Sequence, residues 1–279
     1  MQIANANDVS WAGISGHRYG TIEFKRLLRG GPPQAYELSL VKTSGEYRTP
    51  RHRHNYDQVR FGLTGYTNYA PGKDLGPGQV GFFPEGTPYG MQKIVSDPIV
   101  MAIQSCGVSG EPFMSYDQLR QGGKELLERG GQFEGDGVYT WTDERGRRHN
   151  KDSYEAIWEH IFERPIHYAP ARYDEPVIMT LANYAYRPLP GAEGIERRVL
   201  GIFTEGATEL STYRWAPGAS LVLAAAGRPT MLFVYSGAIR VSNADWDTLT
   251  AIGLEPGEQV TVDSPAGAEA LLFALPHLG

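Results

Sequence analysis

The chain has 279 residues, one cysteine and a formal net charge of −6, and 41% of its residues are hydrophobic. This composition is ordinary for a folded protein, a single cysteine allows no intrachain disulfide bond, and no basic cluster of the kind that binds nucleic acid stands out. No apolar run is long enough to span a membrane, and the first residues lack a signal-peptide pattern. We therefore expect a cytoplasmic protein of about two domains that contacts neither nucleic acid nor membrane.

Short strand-like segments separated by glycine and proline fill the N-terminal third of the chain. They are Tyr36–Val41 before a turn at Gly45, Arg60–Thr67 with a glycine-rich kink, and Ile94–Gln104, whose apolar strand follows Pro98. Several short strands at this spacing predict a β-barrel or a β-sandwich.

The middle of the chain has helical periodicity instead. Ser153–Arg164 carries an apolar stripe at intervals of three and four residues, and Pro165 follows it, which predicts a helix that ends there. Ser115–Arg129 has a similar stripe with a Gly-Gly interruption, and Gly135–His149 is predicted to form a hairpin that turns at Asp143–Gly146. This part is expected to connect two β-rich regions.

The strand pattern returns near Val199 and continues to the end of the sequence. The predicted strands are Leu200–Thr204, Glu209–Trp215, Ser220–Ala224, Thr230–Tyr235, Ala238–Val241, Gln259–Val262 and Ala270–Leu275. The chain is therefore predicted to be dominated by β-structure, with two barrels joined by a partly helical segment. The predicted boundaries are 1–110 for the first barrel, 111–198 for the connecting segment and 199–279 for the second barrel.

His52 and His54 are the most informative residues, because alternate residues of a strand project to the same face. Two imidazoles in one space can bind a metal ion, and Gln58, four residues after His54, offers an amide oxygen. Arg60 is expected on the same face as Gln58, either as the partner of an anion or as an outward-facing arginine. Taken alone, the His-x-His tripeptide is more often a chance pair on an exposed strand than a metal site.

The surroundings of this pair resemble the cupin superfamily, whose first motif is G-x5-H-x-H-x3/4-E-x6-G. Here Gly45 is followed by six residues instead of five, then by His52, His54, Gln58 in place of the glutamate, and Gly65. The resemblance implies a barrel of the jelly-roll type around this segment.

The second cupin motif, G-x5-P-x-G-x2-H-x3-N, matches at Gly78, Pro84 and Gly86. Tyr89 stands where the family has histidine, and Lys93 stands where it has asparagine. The spacing supports the fold, whereas the substitutions affect the ligand set. With a second β-rich region downstream, the whole chain resembles a bicupin, a protein with two cupin barrels.

In family members with the full motifs, three histidines and one glutamate bind a divalent metal. The resemblance therefore implies one divalent ion, Fe, Mn, Ni, Co or Zn, held here by His52, His54, Gln58 and Tyr89. Because these side chains are neutral, the charge of the ion would be balanced by ionisation of Tyr89 or by an anionic substrate. Tyr89 is also a candidate general acid or base, or an aromatic wall of the pocket, and Arg60 is a second candidate catalytic residue.

The second barrel is expected to lack such a site. Aligned on the turns of the first barrel, its four ligand positions are Ala224, Ala226, Thr230 and Ala270. Alanine has no atom that binds a metal, and a single threonine is a poor ligand. We expect this barrel to have a structural role.

The resemblance implies a metal-dependent cupin enzyme that acts on a small anionic or phenolic organic molecule, with a dioxygenase-type oxidoreductase as the first choice. The alternatives are a metal-dependent isomerase or lyase of a sugar acid or another enolisable acid, and a non-enzymatic bicupin that binds a small ligand. Homodimerisation is also expected. The connecting segment could fold over the first barrel as a lid and bring Glu159 or His167 to its site.

Overall fold

The computed structural model describes residues 1–15, 18–94, 97–135 and 137–278. In the N-terminal part, strands follow one another with short connections. The elements are β1 (Gln2–Asn5), a 3-10 helix (Ala6–Asp8), β2 (Ala12–Ser15), β3 (Tyr19–Gly30), β4 (Tyr36–Thr49), β5 (Tyr56–Thr64), β6 (Thr67–Ala70), β7 (Lys73–Leu75), β8 (Gln79–Phe83), β9 (Gln92–Ile94) and β10 (Ile99–Cys106).

The rest of the chain contains the helices and the second set of strands. The connecting part has α1 (Tyr116–Glu128), β11 (Gln132–Glu134), β12 (Val138–Thr142), β13 (Arg148–Asp152), α2 (Ser153–Phe162), β14 (Val177–Thr180), a 3-10 helix (Leu181–Asn183) and β15 (Arg187–Pro188). The C-terminal part has β16 (Ile195–Phe203), β17 (Thr208–Trp215), β18 (Ala219–Ala224), β19 (Thr230–Gly237), β20 (Ile239–Val241), β21 (Ala244–Trp246), β22 (Thr250–Leu254), β23 (Gln259–Ser264) and β24 (Ala268–Ala274).

Two large sheets, both antiparallel, organise the strands of the described residues. The first has the order β14-β8-β5-β10-β4-β3-β2, with β9 also paired to β4, and the second has the order β1-β22-β19-β24-β17-β16-β15. A smaller sheet, β18-β23-β20-β21, forms the other wall of the C-terminal barrel. The prediction of a β-dominated chain with two barrels and a partly helical connection is confirmed.

The two barrels exchange edge strands. Strand β1, at the start of the chain, pairs with β22 of the second sheet, while β14, from the connecting segment, pairs with β8 of the first sheet. Strand β16 also begins before the boundary predicted at residue 199. Strand pairing thus crosses the predicted boundaries, and the division into 1–110, 111–198 and 199–279 stays a prediction.

The largest hydrophobic cluster lies between the two sheets. Leu38, Phe82 and Met101 of the first sheet pack in one cluster with Phe203 and Phe233 of the second, and all five are buried. Burying a side chain of this size contributes about 1.5–3 kcal/mol. Because neighbouring residues of a strand point to opposite faces, this packing leaves the other face of the first sheet available for a pocket.

Both helices of the connecting segment lie where the periodicity predicts them. Ser115 caps α1, since its hydroxyl accepts a hydrogen bond from the backbone N–H of Gln118, and Gln118 Oε1 accepts one from the Ser115 backbone N–H. The Gly-Gly interruption has a packing reason, because a Cβ at Gly122 would lie 2.8 Å from Ile157 and 2.9 Å from Ile161 of α2. The glycine therefore allows the helices to approach each other closely.

The hairpin predicted at Gly135–His149 corresponds to β12 and β13, with residue 136 outside the described part of the chain. The turn predicted at Gly45 is wrong, because β4 continues through this residue to Thr49. Strand β4 pairs with β3 on both sides of Gly45, at Ser44 and at Arg48, with a register irregularity between them, and its last three residues pair with β9. The strand predicted over Ile94–Gln104 includes residues 95–96, which lie outside the described residues; its apolar part is β10.

The helices described here are too short, or not apolar enough, to cross a membrane.

Candidate functional site

A cavity of about 520 Å³ lies between the free face of the first sheet and the connecting segment. Its floor is made by β5 and β10, whose register places Gln58 opposite Gln104 and Arg60 opposite Ala102. Its cover comes from the residues before α1, from α1, from the start of α2 and from the segment after α2, and consists of Met114, Tyr116, Leu119, Asp152, Tyr154, Glu155 and Tyr168. The connecting segment thus does lie over the first barrel.

His52 and His54 lie side by side in this cavity, with ring centroids 5.1 Å apart. Their proximity does not come from the regular strand that the spacing suggests, because β5 begins only at Tyr56. Instead, His52 and Tyr89 form an isolated antiparallel bridge with two backbone hydrogen bonds of 2.9 Å. The bridge also brings the Tyr89 ring to 4.4 Å from the His52 ring.

Four of the residues chosen from the sequence form a continuous chain of hydrogen bonds. Arg60 Nε donates to Gln58 Oε1 at 2.7 Å, and Arg60 Nη2 donates to the Tyr89 hydroxyl at 2.8 Å. The Tyr89 hydroxyl in turn lies 3.2 Å from His54 Nε2. The expectation that Arg60 shares a face with Gln58 is confirmed, and the guanidinium group lies between Gln58 and Tyr89.

Burial controls the protonation of the groups around Arg60. It lowers the pKa of His52 to about 4 and the pKa of His54 well below its ordinary value, with nearby positive charges adding to the effect. Burial also raises the pKa of Tyr89, although the charge of Arg60 opposes this. At neutral pH the imidazoles and the phenol are therefore uncharged.

Arg60 is a cation without an anionic partner in the described part of the chain. Its hydrogen bonds go to Gln58 and Tyr89, and its guanidinium lies over the Phe83 ring at 4.5 Å. A guanidinium has five N–H donors, and these hydrogen bonds use two of them. A permanent positive charge in a pocket, paired only with neutral groups, favours an anion.

The four donors predicted for a metal ion fit it only in part. His52 Nδ1 lies 2.9 Å from the Pro50 carbonyl oxygen, an arrangement that orients the ring and leaves Nε2 open. His54 Nδ1 is buried without a hydrogen-bond partner among the described residues. Gln58 and Tyr89, however, are both bound to Arg60, whose charge repels a dication. Each histidine keeps one ring nitrogen available for a metal ion, whereas the four-residue set as arranged does not fit one.

The backbone also determines which side chains near Tyr89 face the pocket. Met91 is predicted to face inward by counting two residues from Tyr89, and this is wrong, since Met91 is 64% exposed. The alternation stops at Gly90, whose φ of 99° turns the chain. Of the adjacent pair Phe82 and Phe83, the first joins the core between the sheets and the second packs against Tyr89.

Neither candidate lid residue reaches the site. Glu159 binds Lys151 and the backbone N–H of Ile166, and the His167 side chain is 66% exposed beside Glu111. The cover supplies tyrosines instead. The Tyr154 hydroxyl donates to Asn55 Oδ1 at 3.0 Å, and its ring centroid lies 6.3 Å from that of His54. The sequence did not indicate that Tyr154 covers the pocket, because the apolar periodicity of α2 assigns this residue to the core.

Behind the pocket, a buried acidic pair connects β5 to the second motif. Asp57 Oδ1 accepts a hydrogen bond of 2.9 Å from the backbone N–H of Glu85, and Asp57 Oδ2 has no partner among the described residues. Burial, with the charge of Glu85, raises the pKa of Asp57 to about 7. Glu85 is completely buried and binds Ser109 and Arg172, the latter at 2.9 Å.

The interior of the second barrel is filled with apolar side chains, among them Leu221, Val234 and Val262. Of the aligned ligand positions, Ala270 is fully buried in this cluster and Ala224 is on an exposed face of β18. The residue types at these positions offer no ligand set comparable to that of the first barrel.

No protein-family model and no curated protein matches the chain. Solved structures do match over nearly its whole length. A provisionally named dioxygenase from Nostoc punctiforme is 9% identical, with 99% of this chain and 82% of the other covered and a TM-score of 0.62. A provisionally named glyoxylate-induced protein from Pseudomonas aeruginosa is 11% identical, with 99% and 89% covered and a TM-score of 0.60.

Oxalate decarboxylase from Bacillus subtilis is 10% identical, with 99% of this chain and 76% of the other covered and a TM-score of 0.56. Identities this low carry information on the fold and not on the substrate. The matches cover 99% of the chain and therefore run through both barrels. The chain shares the two-barrel β-fold of these structures.

Proposed function

We propose that the N-terminal barrel binds a small organic anion and that Arg60 is the group that recognises its charge. The observation that carries this proposal is the guanidinium in the cavity with hydrogen bonds only to the neutral Gln58 and Tyr89. A carboxylate placed against it would use the N–H groups that these two residues leave open and would compensate its charge.

The surroundings of Arg60 support the same ligand class. The two histidines beside it are neutral because of their burial, so they add no charge of their own. The cavity volume lies in the range that holds an organic molecule, roughly 300–1,000 Å³. Perturbed titratable groups gathered in one enclosed pocket are also typical of catalytic sites, and we propose that the anion is a substrate.

The test compares benzoate with benzamide, which has the same shape without the charge. Isothermal titration calorimetry of the wild-type protein should give tighter binding of benzoate, and Arg60→Gln should remove that preference. Arg48→Gln is the matched control, since Arg48 is outside the pocket and its removal changes the net charge equally. Equal affinities of the two molecules for the wild-type protein, or an unchanged preference in Arg60→Gln, would contradict the proposal.

The second candidate function is a metal-dependent cupin enzyme of the oxygenase, isomerase or lyase type. The observation that favours it is the pair of neutral imidazoles, with Nε2 of His52 open and Nδ1 of His54 buried without a partner in the described residues. Among the solved structures, the Bacillus subtilis oxalate decarboxylase is named with Mn(II) centres. In this candidate the two histidines would hold the ion, which would supply Lewis-acid or redox chemistry to the bound anion.

Elemental analysis separates the two candidates. Protein produced with added Fe, Mn, Ni, Co and Zn would retain about one ion per chain in the second candidate and lose it in His54→Ala. In the first candidate the protein binds benzoate equally well before and after treatment with a chelator. The expected homodimer and the cytoplasmic location stay predictions, to be checked by analytical ultracentrifugation and by cell fractionation.

A further inference from the structure

We infer that the pocket selects an anion with a bulky apolar body, such as a fused-ring aromatic carboxylate, over a compact diacid. The inference rests on the proposed role of Arg60 and adds the class of molecule attached to the charged group. It follows from the register of three neighbouring strands, β5, β10 and β4, which determines what lies beside the guanidinium.

The first step is that small side chains leave space beside Arg60. Arg60 is opposite Ala102 on β10, and Ala102 is opposite Ser39 on β4. Residues directly opposite each other in an antiparallel sheet project to the same face. The row of the floor that starts at the Arg60 backbone therefore continues into two short side chains, and the cavity reaches Ala102, the first of them.

The second step is that the next row on the same face is apolar. It contains Gly62, Val100 and Val41, in that order across the three strands. Two residues along a strand correspond to about 7 Å, so the two valines lie about that far from the Arg60 row. Beyond them Ile22 also lines the cavity. A carboxylate at Arg60 thus has an apolar surface within reach of its body.

The third step is that the opposite end of the floor is polar. The row on the other side of Arg60 contains Gln58 and Gln104, and Gln104 Nε2 donates to the Tyr56 hydroxyl at 3.0 Å. The Arg60 guanidinium lies on this side of the floor, since it binds Gln58 and lies over Phe83, the residue opposite Gln58 on β8. The pocket is therefore polar and positively charged at one end and apolar at the end that contains the two valines. This gradient gives a bound molecule one favourable direction, with its body towards Val41 and Val100.

The fourth step is size. A cavity of about 520 Å³ is in the range that encloses most of the surface of a drug-sized ligand. A compact diacid such as oxalate would meet the guanidinium but would leave the valine row in contact with water. A two-ring carboxylate reaches from Arg60 to that row and covers it, which adds the hydrophobic contribution to the electrostatic one.

The experiment measures the affinities of 2-naphthoate, benzoate, oxalate and the neutral 2-naphthamide by isothermal titration calorimetry. In the wild-type protein, 2-naphthoate should bind about tenfold or more tightly than benzoate, with oxalate weakest. Val100→Phe should shorten the apolar end and remove the advantage of 2-naphthoate while benzoate binding persists. Val100→Thr, which keeps the side-chain shape and replaces a methyl group with a hydroxyl, should reduce the same advantage. It keeps the test valid if Val100→Phe does not fold.

The outcomes distinguish this inference from the proposed function. Oxalate binding as tightly as 2-naphthoate, or an unchanged ratio of 2-naphthoate to benzoate in both Val100 variants, would overturn the inference while the anion pocket stands. Binding of 2-naphthamide as tight as that of 2-naphthoate would instead refute the role of Arg60 and, with it, the proposed function.

Discussion

Replacing Asp57 with asparagine should change how the stability of the protein depends on pH. The pKa of Asp57 rises from 3.8 to about 7 in the fold, chiefly through burial. Between these two values the folded state holds a proton that the unfolded state has released, so the free energy of unfolding falls as the pH rises through this window. One pKa unit corresponds to about 1.4 kcal/mol, so the loss between about pH 5 and about pH 8, where Asp57 is ionised in both states, is about 3 kcal/mol.

The Asp57→Asn variant has no ionisable group at this position and keeps an oxygen that can accept from the Glu85 N–H. We therefore expect the free energy of unfolding of Asp57→Asn, measured by urea denaturation relative to wild type, to rise by about 3 kcal/mol between about pH 5 and about pH 8. Asp8→Asn, which removes the same charge from an exposed residue, is the control and should follow the wild-type profile. Parallel profiles of wild type and Asp57→Asn would refute the reasoning.

Three further substitutions test the packing around the pocket. Gly62→Ala should cost about 1–3 kcal/mol in urea denaturation, because a Cβ there would lie 2.1 Å from the Gly76 carbonyl oxygen. Ser115→Ala should cost about 1 kcal/mol, because it removes the N-cap of α1, and should also weaken benzoate binding by loosening the cover. Glu85→Ala should cost about 3 kcal/mol, since it leaves Arg172 without its buried carboxylate, although an exposed one remains.

Each of these has a matched control measured by the same denaturation. Gly31→Ala should be close to neutral, because a Cβ there meets nothing within 4 Å. Ser115→Asn should retain the cap and the stability of α1. Glu205→Ala removes the exposed partner of Arg172 and should cost less than about 1 kcal/mol. A control as destabilising as its partner would contradict the assigned cause.

Strands and helices could be predicted where the pattern that identifies them lies within a short stretch of sequence. The stripe on α2, the turn residues between the C-terminal strands and the spacing of the two motifs are all properties of short windows, and the structure follows them. Strands β1 and β14 were missed because each is short and pairs with residues far away in the sequence. A four-residue edge strand has too few alternations to be recognised without its partner.

The sequence predicts which residues of the first barrel form the site, but it does not predict how their side chains are arranged. The spacing of His52, His54, Gln58 and Arg60 places them near one another, because they lie within nine residues. That the Arg60 guanidinium lies between Gln58 and Tyr89 depends on the bridge between His52 and Tyr89, which joins segments 37 residues apart, as 89 − 52 gives. The tyrosines of the cover come from further along the chain, and no local pattern assigns them to the pocket.

The exchanged edge strands also determine how the protein can come apart. A cut in the connecting segment between residues 111 and 176 would leave β1 on one fragment and the sheet that it completes on the other, and the same holds for β14. Each fragment would expose an unpaired sheet edge and half of the core shared by the two sheets. We therefore expect the two barrels to unfold as one cooperative unit, and β1 can pair with β22 only after the last part of the chain has been synthesised.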